Sequence, residues 1–314
     1  MKSSPFLKIA ALTATAALIL VGTTACGRGD GSEASGDKIV LAISTLNNPF
    51  FVELRDGAEA AATEAGVQLS IVDAQNDSAT QANQLATAAS SGAKAVIVNP
   101  VDSDAAASAV DALITSGIPV IGVDRTVTDV DLASLVASDN VAGGRQAADE
   151  LAKSMGETGT DIHLQGVAGT SASRERGAGF DEGMKAYPDI TVVATQTANF
   201  DRAAALDVTT NLLQANPGVT GLFAENDEMA LGAIQALGDK AGSDVFVVGF
   251  DGTTDGFDAI KAGTLAATIA QQPAELGKLA IEFAIKAMKG ETIAKTVPVE
   301  VVSVTKTNVG DFAK

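Results

Sequence analysis

The chemistry this sequence can offer is concentrated in short polar or aromatic clusters, each placed directly after a Val/Ile/Leu-rich run. Asn47-Asn48-Pro49-Phe50-Phe51 follows the first run, Asn99-Pro100 closes the third, and Asp124-Arg125 follows the fourth. Further along come Ser173-Arg174-Glu175-Arg176, Asn199-Phe200-Asp201, Glu225-Asn226-Asp227, Phe250-Asp251 and Gln271-Gln272. Carboxylate, guanidinium, amide and phenyl groups thus recur at corresponding places. Such a set suits a sugar: each hydroxyl both donates and accepts, so a buried ring needs planar, two-pronged partners such as Asp, Asn, Gln and Arg around its rim. The C–H faces of a sugar are apolar and stack on aromatic rings, which Phe50, Phe51, Phe200 and Phe250 could supply. Phenylalanine brings no hydroxyl of its own to compete.

Read alone, each cluster has a plainer meaning. Asp124-Arg125 is equally a surface-turn ion pair, and Asn47-Asn48-Pro49 is a turn and helix entry. Asn226-Asp227 can simply cap a helix, and Phe50-Phe51 can be core side chains at a helix start. Their joint placement carries the sugar reading, because ligands of open α/β sheets bind beyond the carboxyl ends of the strands, where loops and helix N-termini converge.

Other chemistries lack their parts. His163 is the only histidine and lies inside an apolar run, the place of a satisfied core residue, and no Ser-His-Asp or Cys-His set assembles around it. Residues 31–38 superficially resemble a phosphate loop, but Asp37 stands where the lysine belongs and the segment precedes a strand. Gly177-Ala178-Gly179 falls within a predicted helix, so no dinucleotide fingerprint is read, and metal-ligand spacing is absent. The sequence therefore predicts no enzyme, no catalytic residue, no metal and no cofactor. With 39 acidic against 21 basic residues, a formal charge of −18 and no Lys/Arg block, nucleic acid is excluded as a partner.

The elements that must hold these clusters alternate. Apolar runs at 38–44, 68–73, 95–99 and 119–123 predict strands buried on both faces, with helices over 50–65, 79–91 and 104–116 between them. Residues 126–140 read as an irregular stretch. A helix over 141–155 then opens a second series, with strands at 161–165, 191–195, 221–224, 245–249 and 265–270 and helices that include 202–215 and 228–237. A last helix over 273–289 and a strand near 296–304 follow, and whether they return to the first series is left open. The pattern predicts an α/β protein of two doubly wound, parallel-sheet lobes.

Ahead of the lobes, residues 1–25 read as a secretory signal peptide. Lys2 and Lys8 make a basic start, and the apolar run over 9–21 falls short of a permanent membrane span. The run stops at Gly22-Thr23-Thr24-Ala25-Cys26, which resembles a bacterial lipobox with Thr23 where leucine is usual. Cys26, the only cysteine, would then be the lipidation site, and 26–37, rich in Gly, Ser and Asp, a flexible tether. Two acyl chains on Cys26 would hold the protein at the outer face of the membrane. An ordinary cleaved leader beside a stray cysteine is the alternative.

From 38 to the end, motif order and spacing resemble the D-ribose-binding proteins of bacterial ABC importers, a periplasmic sugar-binding family with a LacI-like ligand-binding fold. The matching segments are 44–51 (STLNNPFF), Asn99-Pro100, Asp124-Arg125, 137–144 (ASDNVAGG), 165–177 (QGVAGTSASRERG), 226–231 (NDEMAL), 248–252 (VGFDG) and 266–271 (AATIAQ). The resemblance implies that Asn48, Asp124, Arg125, Arg176, Asn226, Asp251 and Gln271 bond the sugar. It also implies that Phe50, Phe51, Phe200 and Phe250 sandwich the ring, with Asn99 near the site. It further implies a periplasmic binding protein of type I, with one lobe at 38–138 plus 272–301 and the other at 139–271 plus 302–314. Hinge crossings would lie near Ser138-Asp139, Gln271-Gln272 and Val301. A monomer that closes on D-ribose and presents it to a membrane permease is the implied mechanism. Its rivals are a LacI-type regulator, whose N-terminal DNA-binding helices are replaced here by the apolar leader, and an α/β enzyme acting on sugars. A binder of allose, galactose or a furanose signalling molecule is a third.

Overall fold

The structure is a computed structural model that describes residues 37–312. The expected signal peptide, Cys26 and all of the expected tether but Asp37 lie outside the described residues. Among the described residues no helix is long and apolar enough to cross a membrane.

The chain runs β1 (Lys38–Ile43), α1 (Pro49–Ala65), β2 (Gln68–Asp73), α2 (Ser78–Ser90), β3 (Ala95–Val98), α3 (Ala107–Thr115), β4 (Val120–Val123) and β5 (Ser134–Ser138). It continues through α4 (Asn140–Met155), β6 (Gly159–Gln165), α5 (Ser171–Met184), β7 (Ile190–Thr197), α6 (Arg202–Ala215), β8 (Gly221–Ala224), α7 (Asp227–Leu237), β9 (Phe246–Asp251), α8 (Thr254–Ala262) and β10 (Ala267–Ala270). The closing elements are α9 (Pro273–Met288), β11 (Thr296–Val299), β12 (Val302–Thr305) and α10 (Val309–Phe312). The strands form two six-stranded sheets, ordered β11-β5-β4-β3-β1-β2 and β12-β10-β9-β8-β6-β7. All pairings are parallel except β12, which runs antiparallel to β10.

Central strands such as Ala95–Val98 and Gly221–Ala224 are buried along their whole length, because helices cover both sheet faces. Each fully buried Leu, Ile or Phe contributes roughly 1.5–3 kcal/mol from water exclusion. Most helices start at a side chain that caps them directly beyond a strand's carboxyl end: Asn48 for α1, Asp139 for α4, Asn226 for α7 and Thr253 for α8. The cap and the last strand residues therefore fix where each helix-leading loop points.

Two sequence expectations are corrected. The stretch 126–140 contains β5, a strand flanked by β4 and β11. Its Ser-Leu-Val-Ala-Ser is short and bounded by serines, so its strand character comes from pairing with β11, more than 150 residues later. The single strand expected near 296–304 is two strands, β11 in the first sheet and β12 in the second, because the chain changes sheets at Glu300-Val301. The chain also changes sheets between β5 and α4, which packs on α5 and β9, and between β10 and α9, which packs on α1.

In the second lobe, α4 and α5 cross at backbone contact. A methyl group on Gly144 would sit on the Arg176 carbonyl, and one on Gly179 would sit on the Val141 carbonyl. Only glycine permits this approach, and it sets the position of the helix that carries Arg176.

Candidate functional site

On the first lobe, Asn48 caps α1 by accepting from the Phe50 amide at 2.9 Å, with Pro49 at the first helical position. That cap aims the Phe50 and Phe51 rings, 5.1 Å apart and edge-on, at the strand ends. Asp124 directly follows β4 with a left-handed φ of 64°, a conformation that turns its carboxylate back toward β3. There Asn99 donates to Asp124 Oδ2 at 3.0 Å and to the Val123 carbonyl at 3.3 Å, while accepting from the Ser44 amide at 3.1 Å. Arg125 donates through Nη1 to the Pro100 carbonyl at 3.0 Å and lies 5.2 Å from the Phe51 ring.

On the second lobe, Arg176 of α5 donates through Nε to Asn140 Oδ1 at 2.9 Å and through Nη1 to the Glu225 carbonyl at 2.6 Å. Its guanidinium lies 3.9 Å over the Phe250 ring and 3.6 Å from Asp251 Oδ1. Asp251 ends β9 and accepts from Gln271 Nε2 at 2.7 Å. Asn226 caps α7 and donates to the Phe200 carbonyl at 3.4 Å. Phe200, at a left-handed φ of 59°, lies flat against Gly166, where any side chain would strike its ring.

The lobes meet across the cleft. The Ser103 amide donates to the Gly169 carbonyl at 2.9 Å, the Ser171 amide to Ser103 Oγ at 3.2 Å, and the Thr126 amide to Ser171 Oγ at 3.0 Å. Arg125 reaches over the Phe200 ring of the other lobe at 5.5 Å. Between the lobes lies a cavity of about 240 Å³, lined by Asn48, Phe50, Phe51, Asp124, Arg125, Ala172, Arg176, Phe200, Asn226, Asp251 and Gln271.

Asp124, Arg125, Arg176, Asp251 and Gln271 are all nearly inaccessible to water. Burial raises the pKa of Asp124 against the pull of Arg125, Arg176 and Asn99, and raises that of Asp251 against the pull of Arg176. Burial likewise lowers the pKa of Arg125, which Asp124 opposes. Two carboxylates and two guanidiniums offset one another, so the wall suits a neutral ligand with many hydroxyls. Asp124 Oδ1 and Gln271 Oε1 are buried without a hydrogen bond inside the protein, and Arg125 Nε has only an ion-pair contact with Asp124 Oδ2 at 3.4 Å. Native structures leave few such groups unpaired, so orphans on both sides of one cavity fit a polar ligand. Among the described residues no group of His, Cys, Asp and Glu side chains converges as metal ligands would.

Every expected ligand-binding residue lines the cavity except Asn99 and Phe250. Asn99 stands behind Asp124 and orients it. Phe250 is wholly buried, its ring occupied by Arg176 on one side and by α4 at Gly143 on another, so it backs the guanidinium instead of facing the cavity. Ala172 is a lining residue the sequence reading missed. It sits one helical turn before Arg176, a spacing that puts both on one face. Asn140, Glu225 and Gln81, which supports Asn99 by accepting from Val101 and donating to the Asn99 carbonyl, were also missed as supports.

Known proteins resemble this chain over most of its length. The family profile described as periplasmic binding protein domain matches residues 39–292. The ribose import binding protein of Salmonella typhimurium is 49% identical over 270 residues, covering 86% of this chain and 91% of the relative. That of Bacillus subtilis is 45% identical over 267 residues, covering 84% and 87%. The crystal structure of an ABC transporter periplasmic solute-binding protein from Actinobacillus succinogenes with bound D-allose superposes with a TM-score of 0.83 at 32% identity. It covers 88% of this chain and 99% of that one.

Proposed function

The chain belongs to the periplasmic binding protein domain family, and from that premise we propose that it captures one monosaccharide, D-ribose foremost, between its lobes and delivers it to an ABC importer permease. The observation that carries the reading is the cavity between the lobes, whose walls draw Asn48, Asp124 and Arg125 from one lobe and Arg176, Asn226 and Asp251 from the other. A ligand bonded to both lobes at once favours the closed state by the contacts that the open state lacks. Micromolar affinity corresponds to about −8 kcal/mol, within reach of such a network. An epimer that leaves one buried group unpaired loses roughly 1–3 kcal/mol, tenfold or more in affinity.

The protein acts as a binding component, not as an enzyme, in an extracytoplasmic compartment. Its expected state there is a monomer held at the outer face of the membrane by a lipid on Cys26. Cell labelling with an alkynyl fatty acid tests the anchor, and a Cys26→Ser chain that labels equally well excludes it. Light scattering behind size exclusion tests the monomer.

Titration calorimetry against a panel of pentoses, hexoses and polyols tests the ligand. D-ribose is expected to bind most tightly, and a panel without a binder refutes the reading. The D-allose bound to the Actinobacillus succinogenes neighbour favours a second reading, in which the same cavity takes a hexose. A tighter titration with D-allose than with D-ribose selects it.

A further inference from the structure

Behind the second-lobe wall, outside the cavity, lies a buried carboxylate with its own set of donors. Glu225 and His163 are both almost wholly inaccessible. Glu225 Oε1 accepts from His163 Nε2 at 3.0 Å, and Oε2 accepts from the Gly166 amide at 2.7 Å and from the Ser173 hydroxyl. A carboxylate only accepts, so His163 presents its Nε2 proton. The His163 ring is itself stacked on Phe223 and tilted against Phe180, with centroids 5.2 and 5.0 Å away, which fixes its plane. Gly177 lets α5 settle directly on the pair: a methyl there would come within 3.1 Å of Glu225 Oε1.

What these bonds tie together is the cavity wall. Gly166 is the floor beneath the Phe200 ring, and Ser173 stands one turn before Arg176 on α5. The main-chain carbonyl of Glu225 accepts from Arg176 Nη1, and the next residue is Asn226. We propose that Glu225, oriented by His163, is a positioning residue for ligand binding that sets Arg176, Phe200 and Asn226 before the ligand arrives. All of its partners belong to one lobe, so the arrangement does not depend on closure. Such preorganisation raises affinity by removing the ordering cost from the binding step. The proposal rests on the sugar reading above.

The test compares Glu225→Leu, Glu225→Gln and Ser173→Ala. Leucine of similar size leaves the Gly166 amide, the Ser173 hydroxyl and His163 without their acceptor. It should weaken binding of the best sugar in the panel by about tenfold or more. Glutamine accepts from Gly166 and Ser173 and donates its amide to His163 in the other tautomer, so E225Q should return affinity to within about threefold of wild type. Should E225L not fold, S173A carries the test: it removes one bond and should cost about three- to tenfold. The Arg176 Nε–H resonance of the ligand-free protein gives a reading independent of any sugar. It should be sharp and slow to exchange in wild type and E225Q, and broadened in E225L or S173A. A folded E225L or S173A with wild-type affinity and an unchanged Arg176 signal overturns the proposal. A wild type that binds no sugar while the resonance responds as expected overturns the sugar reading and leaves the positioning network standing.

Discussion

Replacing Asp251 isolates the electrostatic centre of the second-lobe wall. Its carboxylate is nearly inaccessible, accepts from Gln271 at 2.7 Å and lies 3.6 Å from Arg176 Nη1. On the proposed reading, Asp251→Ala costs the ligand a charge-assisted hydrogen bond, worth about 1.5–3 kcal/mol, and costs Gln271 the partner that holds its amide toward the cavity, about 1 kcal/mol more. Affinity for D-ribose should therefore fall by about 2.5–4 kcal/mol, some seventyfold to nearly a thousandfold. The ligand-free protein should lose stability as well, because Arg176 is left as a buried charge without its counter-ion, though its bonds to Asn140 and the Glu225 carbonyl persist. Asp251→Asn separates the two effects: the amide keeps the shape and one acceptor but drops the charge, so it should retain more affinity than alanine. Calorimetric titration gives the affinities, and thermal unfolding without sugar gives the stability. A D251A titration within threefold of wild type refutes the assignment of Asp251 to the ligand.

Three further outcomes follow from the same geometry. Asp161 is wholly buried with no well-formed hydrogen bond to either carboxylate oxygen, and burial raises its pKa to about 7 against the attraction of His163 and the nearby Phe223 and Ile162 amides. A raised acid gives its stability in full below the unfolded value of 3.8 and loses it as pH climbs through about 7. At 1.36 kcal/mol per pH unit that is a loss of at most about 4 kcal/mol by pH 8, so Asp161→Asn should be the more stable protein at pH 8 and not at pH 4; equal urea midpoints at pH 8 would contradict this. Phe200→Ala removes the ring that lies beside both guanidiniums and should weaken sugar binding by about 1–3 kcal/mol with little change in unfolding temperature, since Phe200 is only partly buried in the core. Unchanged affinity in calorimetry would remove Phe200 from the site. Gly144→Ala forces a methyl onto the Arg176 carbonyl and should cost about 1–3 kcal/mol in urea unfolding together with a loss of affinity. Loss of neither would mean that the α4–α5 crossing can yield.

Much of this protein is written locally. Apolar runs such as Ala-Val-Ile-Val and the caps Asn48 and Asn226 declare strands and helix starts by composition alone, because burial on both faces and capping act within a few residues. Polar residues after β1, β4, β8 and β10, and at the end of β9, mark the cavity edge for the same reason, and so nearly all of the expected lining is legible. What the chain order leaves open is decided by partners far away. β5 is a strand because β4 and a segment beyond residue 295 pair with it, and the C-terminal run divides because its two halves meet different sheets. Phe250 turns inward because α4 and Arg176 enclose it, and Glu225 acquires its proposed role from donors on β6, directly after it, and on α5. Strand ends and caps depend on near neighbours and can be read from residue types; which way a side chain faces depends on the packing of elements that touch only after the chain has folded.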